Sequence, residues 1–205
     1  MLGAHLDVDK YLQRLHAELN NLDQAAVRRL ADLVYQTWIE RRCVYVFGNG
    51  GSAAFASHMC EDLAKGTLRT ADLRNEDQPR IKILSLTDNT PWLTALANDI
   101  GYDQVFVQQL MQFGQPGDLA VAISGSGNSP NVLLAVDWAN RHGLTTFGLT
   151  GYNGGRLKQQ QKDGLHVALD DMGMVESLHT CVLHWIVDDL YAHINGEGRY
   201  GTARA

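Results

Sequence analysis

Short apolar runs that end in glycine, serine or aspartate, each followed by a stretch with helical periodicity, dominate the chain from Cys43 onward. Five of them are predicted as strands, at 43–47, 81–86, 119–123, 145–149 and 165–169. Strands that are apolar on both faces and separated by helices are typical of a parallel sheet covered by helices on both sides. The sequence therefore predicts an α/β three-layer sandwich built on a five-stranded parallel sheet.

The first 41 residues have a different pattern, in which apolar residues recur every three or four positions. Two such series, separated by Asn20-Asn21, predict a helical hairpin. The hairpin can pack on its own subunit or take part in oligomerisation, and the pattern does not decide between them. Because no linker or low-complexity segment interrupts the chain, we expect residues 1–205 to form a single domain with the hairpin at 1–41 as part of it.

Composition narrows the possible partners. The net charge is −6 and no basic run is longer than Arg41-Arg42, which disfavours nucleic acid and anionic membranes as partners. The three cysteines lie in apolar or helical stretches and are odd in number, as expected of a reduced intracellular protein. With no apolar run long enough to span a bilayer and no signal-like start, we expect a cytoplasmic location.

Two strand ends carry glycine and serine in unusual density, at 48–52 and at 124–129, and each opens into a helix. Ligands of open parallel sheets bind beyond the carboxyl ends of the strands, and such loops offer backbone N–H groups and hydroxyls to an anion. Neither loop has the lysine of an ATP-binding P-loop. The acid expected of a dinucleotide site is also misplaced, since the next strand ends near Asp88, 35 residues past Ala53. We therefore predict a phosphorylated ligand and no nucleotide cofactor.

These two loops, together with Asn98-Asp99, Gly154-Gly155 and a C-terminal helix bearing His184, resemble the sugar isomerase (SIS) domain. The chain is most similar to the phosphoheptose isomerases, which convert sedoheptulose 7-phosphate into D-glycero-D-manno-heptose 7-phosphate. The resemblance implies a flavodoxin-like sheet, a phosphorylated sugar as substrate, and a homotetramer with active sites at the subunit interfaces.

The resemblance also implies roles for individual residues. The phosphate-binding positions are Ser52, Ser124, Ser126 and Ser129. The other substrate-binding positions are Asn49, Gly50, Gly51, Asn98, Asp99, Gly125 and Glu176. His58 matches a zinc-ligand position, and His184 matches a position that is both ligand and catalytic.

Three positions depart from the family pattern: Asp62 stands where the catalytic glutamate is usual, Glu176 where a glutamine is usual, and Gly173 where an aspartate is usual. Shortening Glu to Asp withdraws the carboxylate by about 1.5 Å. Either a metal bridges that gap, the helix sits closer, or catalysis is weak.

Helical spacing gives independent support for a site at these residues. His58 and Asp62, four residues apart, share a helix face, and the last helix carries Glu176 and His184 away from its apolar stripe. A carboxylate and an imidazole suit the proton transfers of aldose–ketose isomerisation, and we expect Asp62 and His184 to be catalytic. The four residues also make a plausible ligand set for a divalent metal, which we expect to be zinc. His179, one turn after Glu176, is better explained as a structural residue than as an alternative ligand.

The expected function is thus a phosphosugar isomerase acting on sedoheptulose 7-phosphate through an enediolate. Two alternatives stay open on the sequence: a non-catalytic SIS protein that binds a sugar phosphate or a partner protein, and an isomerase of another ketose phosphate.

Overall fold

A computed structural model describes residues 2–201. Its five strands are β1 (Cys43–Gly48), β2 (Lys82–Ser85), β3 (Leu119–Ser124), β4 (Thr145–Thr150) and β5 (Asp163–His166). All neighbours pair in parallel, in the order β2-β1-β3-β4-β5. The predicted five-stranded parallel sheet is confirmed.

Eight α-helices accompany the sheet: α1 (Val8–Asn20), α2 (Gln24–Ile39), α3 (Gly51–Lys65), α4 (Thr90–Asp99), α5 (Val107–Phe113), α6 (Pro130–Arg141), α7 (Leu157–Gln160) and α8 (Met172–Asn195). Short 3-10 turns occupy Leu2–His5, Thr70–Asp72, Tyr102–Gln104 and Gly198–Tyr200. Across residues 2–201, no helix combines the length and the apolar character needed to cross a bilayer.

The core has two main layers because alternate residues of the central strands face opposite sides of the sheet. Val44 and Val46 of β1 pack with α2, α3 and α8, whereas Tyr45 and Phe47 pack with α5 and α6. Strand β3 is buried along its whole length. A sheet buried on both faces by apolar side chains is the predicted three-layer sandwich.

The N-terminal hairpin forms as predicted, but its two helices are buried to different degrees. Helix α2 is part of the core, whereas no residue of α1 is fully buried. Tyr11, Leu15 and Leu19 of α1 cover a third apolar cluster between β5 and the start of α8. Val8 and Leu12, at the N-terminal end of the same helix face, remain exposed by 68% and 55%. The hairpin therefore packs on its own subunit and also offers an apolar surface.

Two predicted boundaries were wrong. Strand β5 ends at His166 instead of continuing to residue 169, because Val167 and Leu169 leave the sheet to join the apolar cluster beneath α1. The sequence pattern of residues 102–113 also predicts a single helix, but the structure divides it into a 3-10 turn and α5. Three consecutive residues there, 105–107, are buried, and consecutive residues cannot all face the same side of an α-helix.

The strand order places the binding crevice. Strand β1 is followed by α3 and β2 on one side, and β3 is followed by α6 and β4 on the other. The chain thus departs in opposite directions from two adjacent strands, and this reversal opens a crevice at their carboxyl ends. Gly48 of β1 pairs with Ile123 of β3, so both glycine-serine loops start at this point.

A buried histidine in the core makes the stability of the fold depend on pH. His179 on α8 is 3% exposed, and within residues 2–201 its Nε2 has no hydrogen-bond partner. Burial lowers the pKa of His179 from 6.5 to about 4, although a hydrogen bond with the Thr150 backbone acts in the opposite direction. The unfolded chain therefore binds a proton that the folded chain does not between these two pH values, and acid favours unfolding there.

We expect the free energy of unfolding to fall between pH 7 and pH 4 by about 3 kcal/mol more in the native sequence than in a His179→Leu variant. Urea denaturation across this pH range measures the difference. An exposed histidine, in the variant His5→Gln, is the control and should leave the pH dependence unchanged. Equal slopes for the native sequence and His179→Leu would contradict the assignment.

Candidate functional site

The first glycine-serine loop joins β1 to α3. Gly50, at the N-cap of α3, has a positive φ of 57°, a conformation that glycine adopts without strain. The turn places Ser52 in the first helical turn, where its side chain is 8% exposed and its N–H donates to the Asn49 carbonyl. Asn49 is half-buried at the start of the loop. The serine and asparagine predicted to bind substrate are therefore next to each other at the crevice.

The second loop joins β3 to α6 and has its own hydroxyl network. Ser124 is buried, and its Oγ accepts from the Gly127 N–H and lies 3.4 Å from Ser129 Oγ. Ser126 is exposed, and its Oγ accepts from the Asn128 N–H. Three predicted phosphate-binding hydroxyls thus gather within one turn.

Gly127 shows why this loop requires glycine. Its φ is +66°, and a Cβ added there would lie 1.9 Å from the Gly154 carbonyl oxygen. The loop therefore packs directly on the Gly154-Gly155 turn that follows β4. A cavity of about 620 Å³ opens beside it, lined by Ser126, Asn128, Tyr152, Asn153, Ala168, Asp170 and Met172.

Helix capping distinguishes these two loops from the others. Among the described α-helices of ten or more residues, α1, α2, α4 and α8 are capped by the side chains of Asp7, Asp23, Asn89 and Asp171. Helices α3 and α6 follow the glycine-serine loops, and their N-cap residues Gly50 and Ser129 make no side-chain capping bond. A helix N-terminus has free N–H groups and a partial positive charge. Two such termini at one crevice suit an anion.

Two residues that the sequence did not identify connect the loops. The side-chain amides of Asn49 and Asn131 exchange two hydrogen bonds of 2.9 Å, and the Tyr102 hydroxyl donates to Asn49 Oδ1 at 2.9 Å. Asn131 is the second residue of α6, and Tyr102 lies in the turn after α4. The asparagine in Ser-Pro-Asn at the start of a helix was the available signal in the sequence, but its partner across the crevice was not visible.

The predicted histidine and carboxylate group assembles where α3 and α8 run side by side. His58 Nε2 lies 3.1 Å from Asp62 Oδ2, and His184 Nε2 lies 3.8 Å from the same oxygen. One ligand atom from each residue lies within 4.8 Å of the other two. The Asp62 carboxylate thus lies near both imidazoles.

Two nitrogens and one carboxylate oxygen are the donors that zinc prefers, and three protein ligands leave a coordination position open to substrate or water. The residues therefore fit a divalent metal. Side-chain exposure is 44% for His58, 55% for His184 and 24% for Asp62, so the group is accessible in the single chain.

Glu176 lies elsewhere. A Cβ added at Gly51 would lie 2.3 Å from Glu176 Oε1, so the carboxylate sits against the first residue of α3. Further along, Gly66 of α3 meets Val187 of α8, which shows that the two helices advance in the same direction. The structure thus places Glu176 beside the first glycine-serine loop and the group of His58, Asp62 and His184 about two turns further along.

Three other predicted or candidate residues have distinct positions. Asn98 and Asp99 end α4, are exposed, and hydrogen-bond to each other at 2.9 Å. They connect to the crevice through the nearby Tyr102. His179 is buried in the core and is not part of the group formed by His58, Asp62 and His184.

Comparisons with known proteins agree with this geometry. A model described as "SIS domain" matches residues 9–151. The phosphoheptose isomerase of Trichlorobacter lovleyi is 34% identical over 191 residues, covering 91% of this chain and 92% of its own. That of Thiobacillus denitrificans is 39% identical over 144 residues, or 69% and 70% of the two chains.

Solved structures point the same way. The structure of phosphoheptose isomerase from Neisseria gonorrhoeae has a TM-score of 0.79 and 29% identity, and the match covers 92% of this chain and 96% of that one. The phosphoheptose isomerase from Francisella tularensis also has a TM-score of 0.79, with 26% identity over 89% and 95% of the two chains. This chain therefore belongs to the phosphoheptose isomerase family of SIS-domain proteins.

Proposed function

We propose that this protein is a phosphosugar isomerase that converts sedoheptulose 7-phosphate into D-glycero-D-manno-heptose 7-phosphate. The family relationship supports this substrate. The single observation that carries the proposal is the group of His58, Asp62 and His184 on the two helices that run from the crevice. A protein that only bound sugar phosphates would need the loops but not a carboxylate held between two imidazoles.

The substrate phosphate would bind between the two uncapped helix N-termini, with hydroxyl donors from Ser52, Ser124, Ser126 and Ser129. Both helix N-termini contribute partial positive charge at this point, and neither N-cap side chain neutralises it. The sugar would extend along α3 toward His58. Asn49, Gly50, Gly51 and Gly125 line the path, and Asn98 and Asp99 contribute sugar contacts from the end of α4.

The reaction moves one proton between neighbouring carbons. A base removes a proton from C1 of the ketose and the C2 carbonyl oxygen gains a proton, which gives the enediol. The base then returns its proton to C2, while the O1 hydroxyl loses its proton and becomes the aldehyde oxygen. We assign the carbon proton to the Asp62 carboxylate and the oxygen protons to His184. Their separation of 3.8 Å lets both reach one substrate.

A divalent metal, which we propose to be zinc, would be held by His58, Asp62 and His184. Glu176, predicted as a fourth ligand, lies eight residues from His184, about 12 Å along α8, so the proposed ion would have three protein ligands and one position open to substrate or water. When bound, such an ion polarises the carbonyl and stabilises negative charge on the enediolate oxygens.

We further propose that the protein is a homotetramer with active sites at subunit interfaces. The exposed apolar end of α1 supports an interface there, because exposed contiguous apolar surface on a soluble protein commonly marks an interaction site. The exposure of His58 and His184 supports a second surface over α3 and α8.

Replacing Ser124 and Ser126 by alanine should weaken the binding of sedoheptulose 7-phosphate. Each hydrogen bond to a charged group contributes roughly 1.5 to 3 kcal/mol, so each serine should account for about a tenfold to hundredfold change in dissociation constant. Titration calorimetry measures the dissociation constant. The variant Thr94→Ala, whose hydroxyl bonds only within α4, is the control. Unchanged affinity in the double variant would exclude these serines from the site.

Metal dependence tests the chemical assignment. Protein purified without chelators should contain a divalent ion by mass spectrometry, lose isomerase activity on exhaustive chelation, and recover it with zinc. Asp62→Asn should lose both metal and activity. The variant Asp137→Asn should keep both, because the Asp137 side chain is half exposed and pairs with Arg141 on α6. Full activity of metal-free protein would remove the metal from the proposal, and full activity of Asp62→Asn would remove the base.

Light scattering at micromolar protein concentration should report four chains per particle. The variant Leu12→Asp places a charge on the exposed end of α1 and should reduce the assembly, whereas Leu73→Asp, on an exposed site away from α1, should not. A monomeric native protein that retains its fold would contradict the tetramer.

A further inference from the structure

The amide of Asn49 is held by residues from two other elements around the crevice. Asn131 of α6 exchanges two hydrogen bonds of 2.9 Å with it, and Tyr102 adds a third at 2.9 Å. Asn131 is 2% exposed, so water does not compete for these bonds. Asn49 thus joins the loop after β1 to the N-terminus of α6 and to the turn after α4.

A backbone donor fixes which terminal atom of each amide is oxygen. The Val132 backbone N–H donates at 3.0 Å to the side chain of Asn131, and because a backbone N–H only donates, the atom that it meets is Oδ1. The other terminal atom of Asn131 is then Nδ2, and it donates to Asn49 Oδ1. The orientation of the Asn49 amide follows from that of Asn131.

This orientation leaves Asn49 with one kind of free group. Its Oδ1 accepts from Asn131 Nδ2 and from the Tyr102 hydroxyl, which uses both lone pairs. One of the two Nδ2 hydrogens is donated to Asn131 Oδ1. The half-buried side chain therefore has a single N–H left to offer at the crevice.

We propose that Asn131 and Tyr102 are positioning residues that lock the Asn49 amide so that it presents one N–H donor to an acceptor oxygen of the sugar phosphate, either a hydroxyl or the carbonyl oxygen. The identity of the ligand rests on the proposed function, whereas the positioning of the Asn49 amide by Asn131 and Tyr102 does not. Without the Tyr102 hydroxyl, Asn49 Oδ1 has a free lone pair, and the preference for an acceptor on the ligand is weakened.

The first test removes one hydroxyl and keeps the ring. Tyr102→Phe should lower kcat/KM for sedoheptulose 7-phosphate by about twofold to tenfold, mainly through KM, with an unchanged melting temperature. Inhibition by inorganic phosphate should not change, because the serines and helix N-termini bind that group. Tyr200→Phe removes a hydroxyl that donates to Asp189 toward the C-terminal end of α8. This control variant should change neither kcat/KM nor the inhibition by inorganic phosphate. An unchanged kcat/KM for Tyr102→Phe would overturn the proposal.

A double-mutant cycle separates action through Asn49 from a direct contact. If Tyr102 acts by holding the amide, Tyr102→Phe should have no further effect in an Asn49→Ala background. Additive losses in the double variant would show that Tyr102 acts independently of Asn49 and would overturn its role as a positioning residue.

Side-chain amide NMR tests the lock without substrate. In the free native protein, one proton of the Asn49 amide should be protected from solvent exchange and the other should exchange, and Asn131→Ala should remove the protection. Absence of protection in the native protein would overturn the lock. Inactivity of the native protein toward all ketose phosphates would instead overturn the proposed function. In that case the amide exchange measurement would still test whether Asn131 and Tyr102 hold the Asn49 amide.

Discussion

Parallel pairing forces the carboxyl ends of all five strands to the same edge of the sheet, and the reversal of chain direction between β1 and β3 decides which part of that edge can bind a ligand. Both strands are followed at once by a helix, so two N-termini converge where the chain separates. Elsewhere the long helices use Asp or Asn side chains to satisfy their first N–H groups. At the crevice these side chains are replaced by glycine and serine. The fold thereby keeps two electropositive termini available for an anion from outside the chain.

The same crossovers align the residues proposed for the chemistry. Helix α3 begins within the first loop and runs beside α8 in the same direction, so a substrate whose phosphate lies at the loop projects along both helices. Asp62 lies near the two imidazoles for different reasons: His58 is one turn away on the same helix, whereas His184 is brought within 3.8 Å by the packing of α8 against α3. The proximity of this carboxylate to His184 therefore depends on helix packing.

Features set by residues close together in the sequence could be predicted from it, whereas features set by contacts between distant residues could not. Strand positions and both loops were predictable because apolar runs and glycine-serine clusters are local properties. His58 and Asp62 share a helix, so their proximity was also predictable. The position of Glu176 was not, because it depends on the register between α3 and α8, and the bonds of Asn49 with Asn131 and Tyr102 join residues 82 and 53 positions apart. The early end of β5 likewise depends on α1, whose packing partner the local pattern does not specify.

The serines of the glycine-serine loops and the histidines on α3 and α8 differ in solvent exposure, and this difference affects how the proposed reaction could be catalysed. Ser52 and Ser124 are buried and fixed within loops, whereas His58 and His184 are about half exposed in the single chain. Charges in contact with water interact weakly, and stabilising an enediolate requires that water be largely excluded from the groups that surround it. A phosphate anchored at the buried end cannot by itself cover the exposed imidazoles on α3 and α8. A second chain packed over these helices would do so, and this requirement links the proposed proton transfer to the proposed assembly: the proposed anion site would be formed by loops of one subunit, and the proposed acid/base site would be shielded only between subunits.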